Sequence, residues 1–429
     1  MIKLLNTIEH WIFLVFLILL PFQARLILVQ PDWMFNEYTA VVLYGSDLLF
    51  LFLMVCWALQ VRRSKIQFDV ISVLVFCFIG FAALSAVMNG NELVSWFRFL
   101  KLLEGVLLFL YIRARMFEYK KEQIVMALMI GALTQSILGI SQFLLRHDVG
   151  LQLLGESVLN TTMRGVASFY SDGEKVIRAY GTTPHPNVLA TYLVLAIASY
   201  YWLSVTSEQK LRWYWHGAYA GIFFGFLTTF SRVAVTAWVL LAVTGVGVFA
   251  YRHIGNHISI SRIVRPLFIT LAVIGVFLIC YGPMVISRLT LPTEDEGMTL
   301  RNFYNQQALQ SGEGRLNWFG IGIGLFVPWL MEHSPGLLRD LYQPAHNLFL
   351  LIFAETGLLG IFSFVAFLGS IVVVFMRKVP LTFQKVYLLG CAAALLLMSG
   401  FDHFFWTLQQ GIGMWWLAWG VIAGSMKSR

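Results

Sequence analysis

The sequence predicts an all-α polytopic integral membrane protein with about twelve transmembrane helices, and three observations predict it. Of the 429 residues 59% are hydrophobic and only 12% are charged, about half the charged share of a soluble domain. Mean hydropathy is +0.74. Apolar runs of roughly 20 residues, the length that crosses a hydrocarbon core of about 30 Å, recur from one end of the chain to the other.

The expected spans lie near residues 9–24, 38–59, 68–88, 96–112, 122–144, 186–205, 214–230, 233–251, 266–282, 346–375, 385–400 and 408–424. The loop charges test this order independently, because Lys and Arg accumulate in cytoplasmic loops. With the N-terminus inside, the inner segments hold Lys3; Arg62, Arg63 and Lys65; Arg113, Arg115, Lys120 and Lys121; and Lys210 and Arg212. They continue with Arg252, Arg262 and Arg265; Arg377, Lys378 and Lys385; and Lys427 and Arg429, eighteen of the thirty basic residues on short loops. Both termini are therefore expected in the cytoplasm. The net charge of +8 orients the chain in its membrane and does not point to nucleic acid.

The chain reads as one transmembrane domain, 1–429, with two outer loops long enough to fold, 146–186 and 283–345. The second contains TLRNFYNQQALQ, an expected amphipathic helix. WFGIGIGLF follows, where Gly320, Gly322 and Gly324 alternate with isoleucine and permit close backbone approach. Its aromatic and glycine content points to an ordered cap of short helices over a site. No small-residue cleavage site follows the first apolar segment, so no removable signal peptide is expected. Cys56, Cys77, Cys280 and Cys391 fall inside apolar runs, at no ligand or disulfide spacing, and read as packing residues.

The most informative stretch is QPAHNLFLLIFAETGLLGIFSF, Gln343 to Phe364, where His346 and Asn347 stand at the mouth of a long apolar helix. An imidazole with an ordinary pKa of about 6.5 suits a general base near neutrality. A boundary histidine is often just an interfacial hydrogen-bonding residue. Pro344, which fixes the helix entry, and Asn347, a second polar group on the same rim, weigh for His346 as the base.

Arg232 lies in LTTFSRVAVTAW, between two spans with almost no loop to hold it in water. A guanidinium there is costly unless it snorkels or meets an anion, and an anion is the expected partner. Arg301 opens the amphipathic segment, and Arg315 precedes the glycine-rich run. Arg178 precedes AYGTTPHPNVLATYL, in which His185 sits between Pro184 and Pro186 in a rigid turn into the sixth span. Converging arginines bind phosphate bidentately and can hold a diphosphate without a metal. Arg178, His185, Arg232, Arg301, Arg315 and His346 all fall on the outer side by the charge rule, which suits transfer from a lipid diphosphate.

Acids at membrane depth are few. Asp47, Glu104 and Glu355 read as helix-to-helix partners, with Arg98 or Lys101 as counter-charges. Glu355 lies nine residues past His346, roughly 13 Å deeper along a helix, and reads as a packing residue. Asp402 and His403, in SGFDHFFW, form a further polar cluster that reads equally as rim or as site. With no paired-aspartate motif, metal-ligand spacing or phosphate-binding loop, no metal, nucleotide or other cofactor is expected.

Three signatures together resemble the O-antigen ligase and O-antigen polymerase family, membrane glycosyltransferases of the WaaL and Wzy types. RAYGTTPHPNVLATYL is similar to the family's Gly-Thr and His-Pro-Asn stretch. LTTFSRVAVTAW resembles its Ser-Arg hairpin, and the run from Arg301 through WFGIGIGLF to HNLFLLIFAETGLLG resembles its terminal region. The match covers residues 178–361.

The resemblance implies a GT-C-like membrane fold in the bacterial inner membrane with its site facing the periplasm. It implies metal-independent, inverting transfer of a glycan from an undecaprenyl-diphosphate-linked donor to a lipid- or glycan-linked sugar hydroxyl. It assigns Arg232 and Arg301 to the diphosphate, His346 to the base, and Arg178, His185, Arg315 and Asn347 to the substrate region. Gly-Glu-Gly-Arg before the glycine-rich run departs from the family pattern, which leaves open whether Arg301 or Arg315 completes the clamp. Ligase is the first expectation and polymerase the alternative. A transporter or flippase for a lipid-linked sugar is the rival from another class, but matched halves with midplane charges are not found in this chain.

Overall fold

The computed structural model describes residues 2–30, 35–60, 68–89, 92–207, 210–252, 261–290, 296–311 and 318–426. These hold helices α1 (Ile2–Leu19), α2 (Gly45–Ala58), α3 (Val70–Met88), α4 (Leu93–Arg115), α5 (Lys121–Leu145), α6 (Pro186–Thr206), α7 (Trp213–Thr228) and α8 (Arg232–Arg252). The chain continues with α9 (Ser261–Leu289), α10 (Glu296–Gln310), α11 (Phe326–His333), α12 (Leu348–Lys378), α13 (Phe383–Ser399), α14 (Phe404–Thr407) and α15 (Gln409–Gly424). Two antiparallel hairpins interrupt the helices: β1 (Arg25–Val29) with β2 (Val41–Tyr44), and β3 (Ser168–Ser171) with β4 (Glu174–Ile177). Among the described residues α3, α5, α6, α9 and α12 are long and apolar enough to cross a membrane. The architecture is that of an all-α membrane protein, with a helix at each segment read as a span.

Three boundaries differ from the sequence reading. The first helix stops at Leu19, ahead of Pro21, because a proline cannot continue the hydrogen-bond ladder and disfavours helix in the residue before it. Residues 41–44, expected to open the second span, instead form β2, where Val-Val-Leu-Tyr fits a pleated strand. The ninth helix, expected to end near 282, continues to Leu289, since α9 breaks at Tyr281 and resumes through Pro283.

By contacts between Cα atoms the chain divides into two compact units. One comprises Met1–Ala24, Phe117–Thr293 and Leu381–Ala394. In it α5 packs on α1, α6 and α7. The Tyr192 hydroxyl donates to the Leu17 carbonyl (2.9 Å) and ties α6 to α1, while that of Tyr387 donates to Ala198 (2.8 Å). The 146–186 segment carries the β3–β4 hairpin. Asp172 and Gly173, at φ 52 and 81, close the β3–β4 hairpin, the left-handed pair that a two-residue hairpin turn requires. Gln142 of α5 fastens this segment, donating to Glu156 and Gly181 and accepting from the amides of Tyr180 and Gly181.

The other unit comprises Arg25–Met116, Glu294–Pro380 and Leu395–Arg429. Here α15 packs on α4 and α12 on α3. Asp47 and Glu104 do have a basic partner, and it is Lys101, 2.5 Å and 3.2 Å away. Gln409 donates to both carboxylates. Arg98 instead donates to the carbonyls of Thr407 (2.8 Å) and Glu37 (2.5 Å).

The expected amphipathic helix is α10. The glycine-rich run has a more specific task than close approach alone. Gly357, at φ 69, breaks α12 within its first third, and the loop replaces the lost ladder. Ile321 and Gly322 donate to the carbonyls of Ala354 (2.9 Å) and Glu355 (3.0 Å), and Leu359 donates to Trp318 (3.2 Å). Ser85 also donates to the Glu355 carbonyl, at 2.6 Å. Backbone groups freed in an apolar span must be satisfied in this way. A Cβ at Gly357 or Gly320 would collide with the facing backbone, and the Gly357 conformation is essentially restricted to glycine. Gly357→Ala is therefore expected to cost about 1–3 kcal/mol in strain alone, seen as a lower melting temperature of the purified protein. A melting curve equal to wild type would contradict the docked-loop account.

Candidate active site

The predicted residues form two clusters, one in each unit. His346 lies in the loop before α12, outside the span. Its Nδ1 is 3.0 Å from the carbonyl of Pro344. A carbonyl only accepts, so Nδ1 carries the proton and Nε2 is left as the basic nitrogen. Burial lowers the imidazole below its ordinary pKa, the Arg301 charge adds to that, and Asp402 opposes it. The ring is thus neutral near pH 7, as a base requires.

Two rings hold it. The phenol of Tyr304 stacks at 5.5 Å and 14°, and His403 meets it edge-on at 5.0 Å and 82°. His403 is wholly buried, with Nδ1 2.7 Å from the Thr407 hydroxyl, and burial followed by the His346 charge pushes it down to about 3. It stays neutral where His346 takes up a proton. Asp402 accepts from the His403 amide at 2.9 Å, and the ring contact of His403 places the second polar cluster of the sequence beside His346.

Arg301 is half-buried on α10, and its charge acts on both histidines. Among the described residues it makes no hydrogen bond or ion pair. Arg315 lies outside the described residues. Asn347, expected at the substrate, caps α12: its Oδ1 accepts from Phe349 (3.0 Å) and Leu350 (3.1 Å), and its Nδ2 donates to Gly400 (3.2 Å). Glu355 does not approach His346 through a hydrogen bond; it accepts from the Trp406 indole at 2.6 Å and from the Phe326 amide at 3.4 Å. A small pocket lined by Tyr38, Arg98, Pro344, Glu355 and Trp406 among others adjoins the loop.

In the first unit, Arg178 is buried and organises the turn that launches α8. Its Nε donates to Thr229 (2.7 Å) and its Nη2 to Asn187 Oδ1 (2.8 Å), which also accepts from the Ser231 hydroxyl (2.9 Å). Arg232 is the first residue of α8. The residue before Ser231, Phe230, is left-handed at φ 46, a conformation uncommon for a bulky side chain. Phe143, Phe169 and Phe277 pack around it. His185 caps α6, its Nδ1 accepting from the Asn187 amide (3.1 Å), with Pro186 in the first turn. The rigid turn expected there is present, and its histidine and arginine serve the turn directly.

Sequence reasoning missed Tyr304 and Phe230. The signal for Tyr304 was its place one turn after Arg301, on the same face of a helix; a phenylalanine before Ser-Arg carries no such signal. No family model and no curated protein matches the chain.

Proposed function

We propose that the chain is a membrane glycosyltransferase of the O-antigen ligase type, moving a glycan from an undecaprenyl-diphosphate donor to a sugar hydroxyl on lipid A core. The observation that carries this reading is His346: a neutral ring whose Nδ1–H is fixed on Pro344, whose Nε2 is the basic nitrogen, and beside which Arg301 brings a positive charge.

The acceptor hydroxyl gives its proton to Nε2 as its oxygen attacks the anomeric carbon. The bond from that carbon to the diphosphate oxygen breaks, and the electron pair leaves with the diphosphate, so the centre inverts. Arg301 opposes the charge that develops on the leaving group, the task a divalent metal performs elsewhere. The reading includes an inner-membrane location with the site facing the periplasm and both termini in the cytoplasm.

Reconstituted protein supplied with lipid-linked glycan is expected to glycosylate lipid A core and to do so undiminished in chelator. Transfer only between two lipid-linked glycans would assign polymerase instead. Absence of transfer to either acceptor would overturn the reading, and chelator loss reversed by magnesium would overturn the metal-free clamp.

A further inference from the structure

We propose that Tyr304 is a positioning residue of the transfer reaction, its phenol ring clamping the His346 imidazole while the same face of α10 presents Arg301 to it. This rests on the glycosyl-transfer reading of His346 and goes beyond it to a residue that touches neither donor nor acceptor.

The helix is seated for this purpose. Tyr304 and Ala308 are buried in one cluster with Ala345, Leu351 and Ala354, the residues around the entry to α12. Arg301, Tyr304 and Ala308 follow at spacings of three and four, so all three lie on one helix face. The Tyr304 hydroxyl donates to the Leu341 carbonyl, which pins the ring to the loop that leads into Pro344 and His346. The imidazole is then bounded by the Pro344 hydrogen bond on its Nδ1 edge, the stacked phenol on a face, and the perpendicular His403 ring.

The stack has a chemical consequence as well. An aromatic face within about 6 Å of a cation stabilises it, so the positive charge formed when Nε2 takes the acceptor proton is favoured by the ring that holds it. The oxygen–hydrogen bond of the acceptor breaks, a nitrogen–hydrogen bond forms on His346, and the proton passes on to solvent when the base resets. Tyr304 neither gives nor takes a proton; burial pushes its phenol up to about 12.

Tyr304→Phe and Tyr304→Leu in the full chain, reconstituted with lipid-linked donor and lipid A core, test the inference. Tyr304→Leu should lower kcat about 10–100-fold with little change in KM, the scale of a small misplacement in a reacting group. Tyr304→Phe should keep most of the activity. Carbethoxylation of His346 by diethyl pyrocarbonate, read from its peptide by mass spectrometry, needs no turnover: the Leu variant should react faster than wild type, and the Phe variant, which keeps the stacked ring but loses the Leu341 bond, at a rate closer to wild type than to Leu. Equal kcat in the Leu variant, a Phe variant as impaired as Leu, or equal labelling in all three proteins overturns the clamp. Wild-type protein that is inactive on every lipid-linked donor overturns the transfer reading, and Tyr304's place in that reaction with it.

Discussion

His346→Ala is expected to slow glycan transfer about 10²–10⁴-fold, the range for removing a positioned general base, with donor binding retained. The base works only when neutral. Its folded pKa lies below the ordinary histidine value because burial disfavours the imidazolium and Arg301 repels it, so the fraction in the active form is high at pH 7. Activity should hold through neutrality and fall only at pH below the ordinary histidine range. The neighbours move that limb in opposite directions. Asp402→Asn removes the charge that favours imidazolium, which lowers the pKa further and shifts the limb to lower pH. Arg301→Ala removes a repelling charge and shifts it to higher pH. The pH profile of kcat for the three proteins checks both signs, and full activity in the His346→Ala protein would remove it as the base.

Helices were the most legible part of the chain, since a membrane span announces itself by length and apolarity alone. Asp47, Glu104 and Lys101 were legible for a related reason: charges in apolar runs must find one another, although their spacing could not say that Lys101 rather than Arg98 would be the partner. The hairpin β1–β2 was not legible, because Arg25–Val29 and Val41–Tyr44 are as apolar as the spans beside them and hydropathy does not separate a short apolar strand from a helix end. The broken helix was half legible. Glycines at 320, 322 and 324 mark close approach, but the exchange of hydrogen bonds between the 318–322 loop and α12 exists only once the two are brought together. The sequence offered His346 and Arg301 in one unit and Arg232 in the other as candidate chemistry, while Tyr304 and Asn347 pack and cap, which depends on neighbours that no local pattern records.

Arg232→Ala is expected to reduce kcat/KM about 10²–10³-fold, the scale for losing one preorganised donor to a developing negative charge, and to weaken inhibition by bare undecaprenyl diphosphate. The argument begins in the backbone. A left-handed phenylalanine is uncommon and persists where its surroundings over-determine it, a pattern that gathers at functional sites. At Phe230 an aromatic cluster does this from one side, while Arg178, through Thr229 and Asn187, holds the turn from the other. The product of that arrangement is a guanidinium on the first turn of α8, where the helix dipole already favours an anion and disfavours the arginine itself. The resemblance assigns that guanidinium to the donor's diphosphate, whose two phosphates accept planar, bidentate contacts. Arg232→Lys keeps the charge and loses that fork, so it should recover only a small part of the activity. Arg178→Ala should differ in kind, lowering the melting temperature together with activity because it dismantles the turn, whereas Arg232→Ala should melt like wild type. An Arg232→Ala protein with unchanged kcat/KM and unchanged diphosphate inhibition would mean that the strained turn serves packing alone.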